Sequence, residues 1–167
     1  MIDRLEWLIH AVAIGIGATA FMDLWAPIQH RLFGTPLPNL GLLGRWLGHM
    51  IDGRFRHEAI AAAQPVAGER FIGWVAHYVI GIVFAALLLA ICGMDWARRP
   101  SLWPALAFGI VTVLFPYLIL QPAYGLGVAA SRAPQPNVAR RRSLAGHVTF
   151  GFGLYVAAYL LSVVAPE

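Results

Sequence analysis

Residues 69–93 read ERFIGWVAHYVIGIVFAALLLAICG, and from Phe71 to Gly93 the run holds no Asp, Glu, Lys or Arg. An α-helix rises about 1.5 Å per residue and the hydrocarbon core of a bilayer is about 30 Å thick, so roughly 20 apolar residues make one crossing. The stretch reads as a membrane-spanning helix. His77 lies two turns inside it. Placing an ionisable side chain at that depth is disfavoured by a few kcal/mol, so it is read first as a functional group and weighed against packing.

Working outward, three more segments have the length and apolarity of a crossing: Trp7–Ala26, Leu102 to about Ala130, and Leu144–Val164. A chain that is 59% hydrophobic and 12% charged, with mean hydropathy +0.68, falls outside the ordinary soluble class. The leading MIDRLE carries two acids against Arg4, the wrong charge for a secretory signal, so residues 7–26 are kept as the first span. The single cysteine, Cys92, excludes an internal disulfide and a multi-cysteine zinc framework. The fold class is all-α: a polytopic membrane protein of four transmembrane helices in one domain, residues 1–167, with an interfacial helical loop between the first two.

All twelve basic residues are arginines. Nine lie in the first and third loops (Arg31, Arg45, Arg54, Arg56, Arg70, Arg132, Arg140, Arg141, Arg142) and three on the terminal side (Arg4, Arg98, Arg99). The positive-inside rule therefore places those two loops in the cytoplasm and both termini in the periplasm of a bacterial inner membrane. Trp7, Trp25, Trp74, Trp96 and Trp103 mark the span ends, as amphipathic rings in the headgroup zone should. The ARRRS run at 139–143 reads as a topogenic patch facing anionic lipid, and no nucleic-acid partner is expected.

The first loop, residues 27–70, is too long to be structureless and is punctuated by TPLPN and QPVAG. In NLGLLGRWLGHMIDG, Asn39 is a good N-cap, and Leu40, Leu43, Leu47, Met50 and Ile51 share a face opposite Arg45 and Asp52. A second helical piece is expected in RFRHEAIAAA, residues 54–63. The third span contains Pro104, Pro116 and Pro122 and ends in LQPAYGLG, so it should break between Pro116 and Gly125. SRAPQPN, residues 131–137, reads as an extended loop.

Polar residues converge at the inner end of all four spans: Asp23 on the first, His77 and Tyr78 on the second, Gln121 and Tyr124 on the third, and His147 on the fourth. Several lie at steps of four from small residues, as in Gly15, Thr19 and Asp23 or Gly73, His77 and Gly81, so they should face the bundle interior. His49, His57, Glu58 and Glu69 sit on the same side and can close over the site. Two chemistries stay open. His77 and His147 act as acid/base groups oriented by Asp23 and Glu69, or the same four side chains hold a divalent metal, zinc or iron. Gln121, Tyr78, Tyr124, His49 and His57 would then position a substrate. No HExxH, paired ExxH, phosphate loop or GxSxG occurs.

The segments GATAFMDLWA, GRWLGH, RHEAIAAAQPVAGERFIGWVAHYVIG, QPAYGLGVAASRAPQPN and RSLAGHVTFGFGLY resemble a bacterial family of small inner-membrane proteins, domain of unknown function 2938. The resemblance implies architecture and compartment and transfers no chemistry. Three functional classes follow. The favoured one is a small membrane enzyme or cofactor-binding protein for a lipid or quinone-like amphiphile. The others are a proton-coupled or small-solute transporter, and a structural subunit whose polar residues only pack the bundle. The topology is checked with C-terminal reporter fusions, where alkaline phosphatase is expected to be active and a cytoplasm-dependent fluorescent protein dark.

Overall fold

A computed structural model describes residues 2–164. The elements are α1 (Ile2–Phe33), α2 (Leu40–Met50), α3 (Glu69–Cys92), α4 (Met94–Arg98), α5 (Leu102–Val111), α6 (Gln121–Ala123) and α7 (Pro136–Val164). Single 3-10 turns occur at Ile60–Ala62 and Val128–Ala130, a π-helical turn at Pro116–Leu120, and no strand among the described residues. Four helical stretches are long and apolar enough to cross a bilayer: Arg4–Phe33, Glu69–Cys92, Leu102–Ala123 and Pro136–Val164. The protein is a multi-pass membrane protein, as the 69–93 run requires.

Two helices are longer than their apolar segments. α1 continues through Pro27 to Phe33, although a proline removes one N–H from the ladder and crowds the carbonyl four residues back. α7 begins at Pro136, not Leu144, because the fixed φ of proline suits a first helical position where its missing N–H would be unpaired anyway. The three consecutive arginines therefore stand on the early turns of α7, and residues 131–135 form turns and bends in place of the expected extended loop.

The third span is broken, and earlier than its prolines suggest. α5 stops at Val111, a turn follows at Thr112 and Val113, and the chain resumes through the wide π-helical turn into the short α6. Turns of this kind recur at functional sites in helices.

The chain divides into two compact units. The first comprises residues up to Leu37, Tyr78–Val111 and the chain from Gly146. Its core is small and dry: Ala11, Ile14, Ala18, Ala85, Leu88, Leu89, Trp96, Ala97, Ala105, Phe150, Leu154 and Ala158 are all buried. Lipid is as apolar as leucine, so these helices associate through close packing, which small residues allow. A Cβ on Gly109 would collide with the Gly151 backbone and stand 2.7 Å from the His147 carbonyl oxygen. The Thr19 hydroxyl is satisfied within its own helix, donating to the Gly15 carbonyl at 2.8 Å.

The second unit comprises Pro38–His77 and Thr112–Ala145. α2 forms as expected, with the Asn39 side chain accepting the Gly41 N–H at 3.1 Å. The face it buries differs from the expected apolar stripe: Gly41, Leu43, Gly44, Trp46 and His49 turn inward, while Ile51 is 88% exposed. The reason is steric. A side chain at Gly44 would collide with the Glu69 carbonyl, and one at Gly73 with the Leu40 carbonyl, so backbone proximity chooses the glycine face over the leucine face.

Replacing Gly109 with Val is expected to lower stability by about 1–3 kcal/mol through overpacking against backbone that cannot yield. Gly146→Ala, where an added Cβ meets nothing within 4 Å, should stay within about 0.5 kcal/mol of wild type. Thermal melts of the two variants in one detergent check the pair.

Candidate functional site

The polar organisation of the second unit starts at Arg45. Its Nε and Nη2 donate to Glu69 Oε2 and Oε1, each at 2.8 Å, in the two-pronged arrangement that matches a guanidinium to a carboxylate. Its Nη1 donates to the carbonyls of Ile60, Ala61 and Ala63 at 3.2, 3.1 and 3.0 Å. Glu69 also accepts the Val66 N–H at 3.0 Å. Arg45 was expected on a solvent face; instead its side chain is only 12% exposed, because Glu69 and three loop carbonyls hold it against the loop.

Residues 54–63 do not form the expected helix. They run irregularly, with a bend at Glu58, to an extended Ala59 and close in a single turn at Ile60–Ala62. Tertiary hydrogen bonds override the local pattern: the N–H groups of His57 and Ile60 donate to the carbonyls of Ala123 and Tyr124 at 2.9 and 3.2 Å. The two segments meet at Gly125, whose φ of +89° suits glycine and whose missing Cβ leaves room for the Glu58 carbonyl. Trp46 Nε1 donates to the Phe55 carbonyl at 3.0 Å, and its ring meets Tyr124 edge-on at 6.3 Å between centroids. Burial pushes the Tyr124 hydroxyl well above its ordinary pKa, so it stays a neutral donor.

This folding brings two imidazoles together. His49 on α2 and His57 on the loop meet edge to edge with ring centroids 4.9 Å apart and His49 Nδ1 2.7 Å from His57 Nε2. A contact that short between two ring nitrogens is a hydrogen bond only if one carries a proton and the other a lone pair, so both imidazoles cannot be fully protonated together. Burial lowers the His57 pKa, and the neighbouring His49 and Arg54 act in the same direction. His57 Nδ1 is buried without a hydrogen-bond partner.

Beside the pair lies a cavity of about 800 Å³ lined by Arg56, His57, Glu58, Pro122, Gly125, Gly127, Val128, Ser131 and Arg132. One wall is strained. Ala129 and Ala130 both have positive φ, +48° and +55°, in a region that disfavours residues bearing a Cβ by about 1–2 kcal/mol each. Arg140 Nε donates to the Ala129 carbonyl at 2.8 Å, and the Arg140 carbonyl accepts the Tyr117 hydroxyl at 2.7 Å, which pins the loop.

A family model described as "Protein of unknown function (DUF2938)" matches residues 12–161. The chain belongs to that family. No curated protein and no solved structure matches it.

The matched region contains every residue that the sequence singled out. In the first unit, the Tyr78 hydroxyl hydrogen-bonds the Asp23 carboxylate, and His147 lies on α7. In the second, His77 meets Trp74 edge-on at 6.2 Å. Gln121, 8% exposed, donates through Nε2 to Ser143 Oγ at 3.1 Å and leaves Oε1 buried without a hydrogen-bond partner. Glu69 is held by Arg45, and His49 and His57 hydrogen-bond each other. Among the described residues, no three His, Cys, Asp or Glu side chains group around a common point suited to a metal ion. Sequence reasoning missed Arg45, Ser143 and the Arg56–Arg132 cavity. Arg45 and Glu69 lie 24 residues apart, a separation with no periodic signature.

Arg45→Ala is expected to lower the melting temperature, because it leaves Glu69 and three loop carbonyls without their partner, and to open residues 54–63 to proteolysis. Arg45→Lys keeps the charge but not the two-pronged geometry and should recover only part of the loss. Limited proteolysis with mass mapping, alongside melting curves, distinguishes the two.

Proposed function

We propose that this protein binds an amphiphile at the cytoplasmic end of its bundle, in the inner membrane of a bacterium, and exchanges a proton with it through the His49–His57 pair. The observation that carries the reading is the 2.7 Å contact between the two imidazoles where His57 lines the cavity. A pair sharing one proton takes up or releases a second one in a step coupled to its surroundings, which suits an acid/base group. A cavity of this size fits a headgroup or a quinone ring, since small-ligand sites run from about 300 to 1,000 Å³. The Arg45 brace holds α2, and therefore His49, against the loop that carries His57. Arginine placement along the sequence supports the cytoplasmic orientation.

The proton linkage has a definite sign. His57 titrates below its ordinary value of 6.5 when folded, so as pH falls the unfolded chain takes up that proton first. Its contribution to stability is complete above about 6.5 and declines as pH falls from there toward the folded pKa. Histidine ¹⁵N NMR of the protein in nanodiscs is expected to show one N–H shared by the two rings and His57 titrating below 6.5. His49→Asn should return His57 toward that value, and His57→Gln should flatten the fall in melting temperature between about pH 7.5 and 5.5. Two imidazoles titrating independently near 6.5 would remove the basis of the proposal.

A further inference from the structure

We infer that the cavity beside the histidine pair is a phospholipid headgroup site, in which Arg56 and Arg132 take the phosphate and Glu58 takes a hydrogen-bond donor on the headgroup. The inference rests on the proposed function above and names the class of its ligand.

The first observation is an imbalance among the arginines. Arg45, Arg98 and Arg140 are engaged, with Glu69, with Glu6 and with the Ala129 carbonyl respectively. Arg56 and Arg132 come to one cavity from separate segments, and among the described residues neither guanidinium makes an ion pair or a hydrogen bond. Two guanidiniums lining one volume with no partner of their own offer charge-assisted donors to an anion, and their planar forks suit phosphate oxygens. Ser131 on the same wall adds a hydroxyl donor.

The second observation is the backbone that presents them. The chain enters Ser131 and Arg132 through two consecutive left-handed alanines, and Ala130 is fully buried. Glycine would take that conformation freely. Strain of this kind persists only where surrounding structure enforces it, here the Arg140 and Tyr117 hydrogen bonds, and it concentrates at binding sites.

The third observation separates a headgroup from bare phosphate. A cavity of about 800 Å³ is far larger than a phosphate ion needs, and Glu58, which makes no ion pair among the described residues, gives its wall a second, negative pole. A lone anion gains nothing from that carboxylate. A phosphodiester with an ammonium or hydroxyl group beyond it meets both poles.

The test is native mass spectrometry of the full chain titrated with phosphatidylethanolamine, phosphatidylglycerol and phosphatidylcholine, whose trimethylammonium group offers no N–H or O–H donor. The first two are expected to bind at least tenfold more tightly than the third. The double variant Arg56→Gln, Arg132→Gln should lose at least tenfold in affinity for both. Arg141→Gln with Arg142→Gln removes two exposed charges outside the cavity and should change affinity by less than twofold. Glu58→Gln should erase the preference for phosphatidylethanolamine over phosphatidylcholine.

Equal losses in the two arginine pairs would mean diffuse attraction to anionic surfaces and would overturn the site. Unchanged binding in the Arg56, Arg132 variant would do the same. Inorganic phosphate competing as well as glycerophosphoethanolamine would overturn the headgroup assignment. The two proposals fail separately: headgroup binding without a shared imidazole proton leaves this inference standing and removes the proton-transfer reading, while a shared proton without headgroup selectivity does the reverse.

Discussion

A segment at membrane depth that stops being a regular helix releases N–H and C=O groups that lipid cannot satisfy, and the organisation of the second unit follows from that constraint. The third span breaks after Val111 and ends at Ala123. The carbonyls of Ala123 and Tyr124 at this end accept the His57 and Ile60 N–H groups. The loop has the complementary deficit, because the N–H groups of His57 and Ile60 find their acceptors outside it. The broken span and the loop complete one another, and Arg45 braces the loop by donating to the carbonyls of Ile60, Ala61 and Ala63.

The candidate chemistry is a by-product of that pairing. His57 is fixed through its own backbone N–H, and His49 reaches it because α2 is held by the Arg45–Glu69 pair and by backbone contact at Gly44. A partly buried, two-pronged ion pair adds little net stability over a well-packed apolar contact. Losing one partner leaves an uncompensated charge, so the pair acts more as a geometric specification than as a source of stability. Two imidazoles in hydrogen-bond contact are a consequence of that specification.

The first unit follows different physics. Its helices meet through glycine, alanine and threonine, and its precision comes from backbone proximity at positions such as Gly109 and Gly153. Where water supplies no driving force between helices, shape complementarity and dispersion must hold them together.

The sequence by itself determined the four apolar crossings, the capped helix after Asn39 and that the third span is broken, though the break falls at Thr112 and Val113, before the expected interval. Each of these depends on local properties: length against bilayer thickness, an N-cap side chain, a proline without an N–H. It also misplaced some features, and for one reason. The helix expected over residues 54–63, the solvent-facing Arg45 and the leucine-lined face of α2 were read from local pattern, and each was overridden by a partner distant in the chain. The tertiary structure alone decided that Glu69 pairs with Arg45, that His49 meets His57, and that Arg56 and Arg132 share a cavity. Hydrophobic periodicity records which face of one element is apolar. It carries no record of which polar groups, tens of residues apart, a broken backbone will draw together to satisfy its hydrogen bonds.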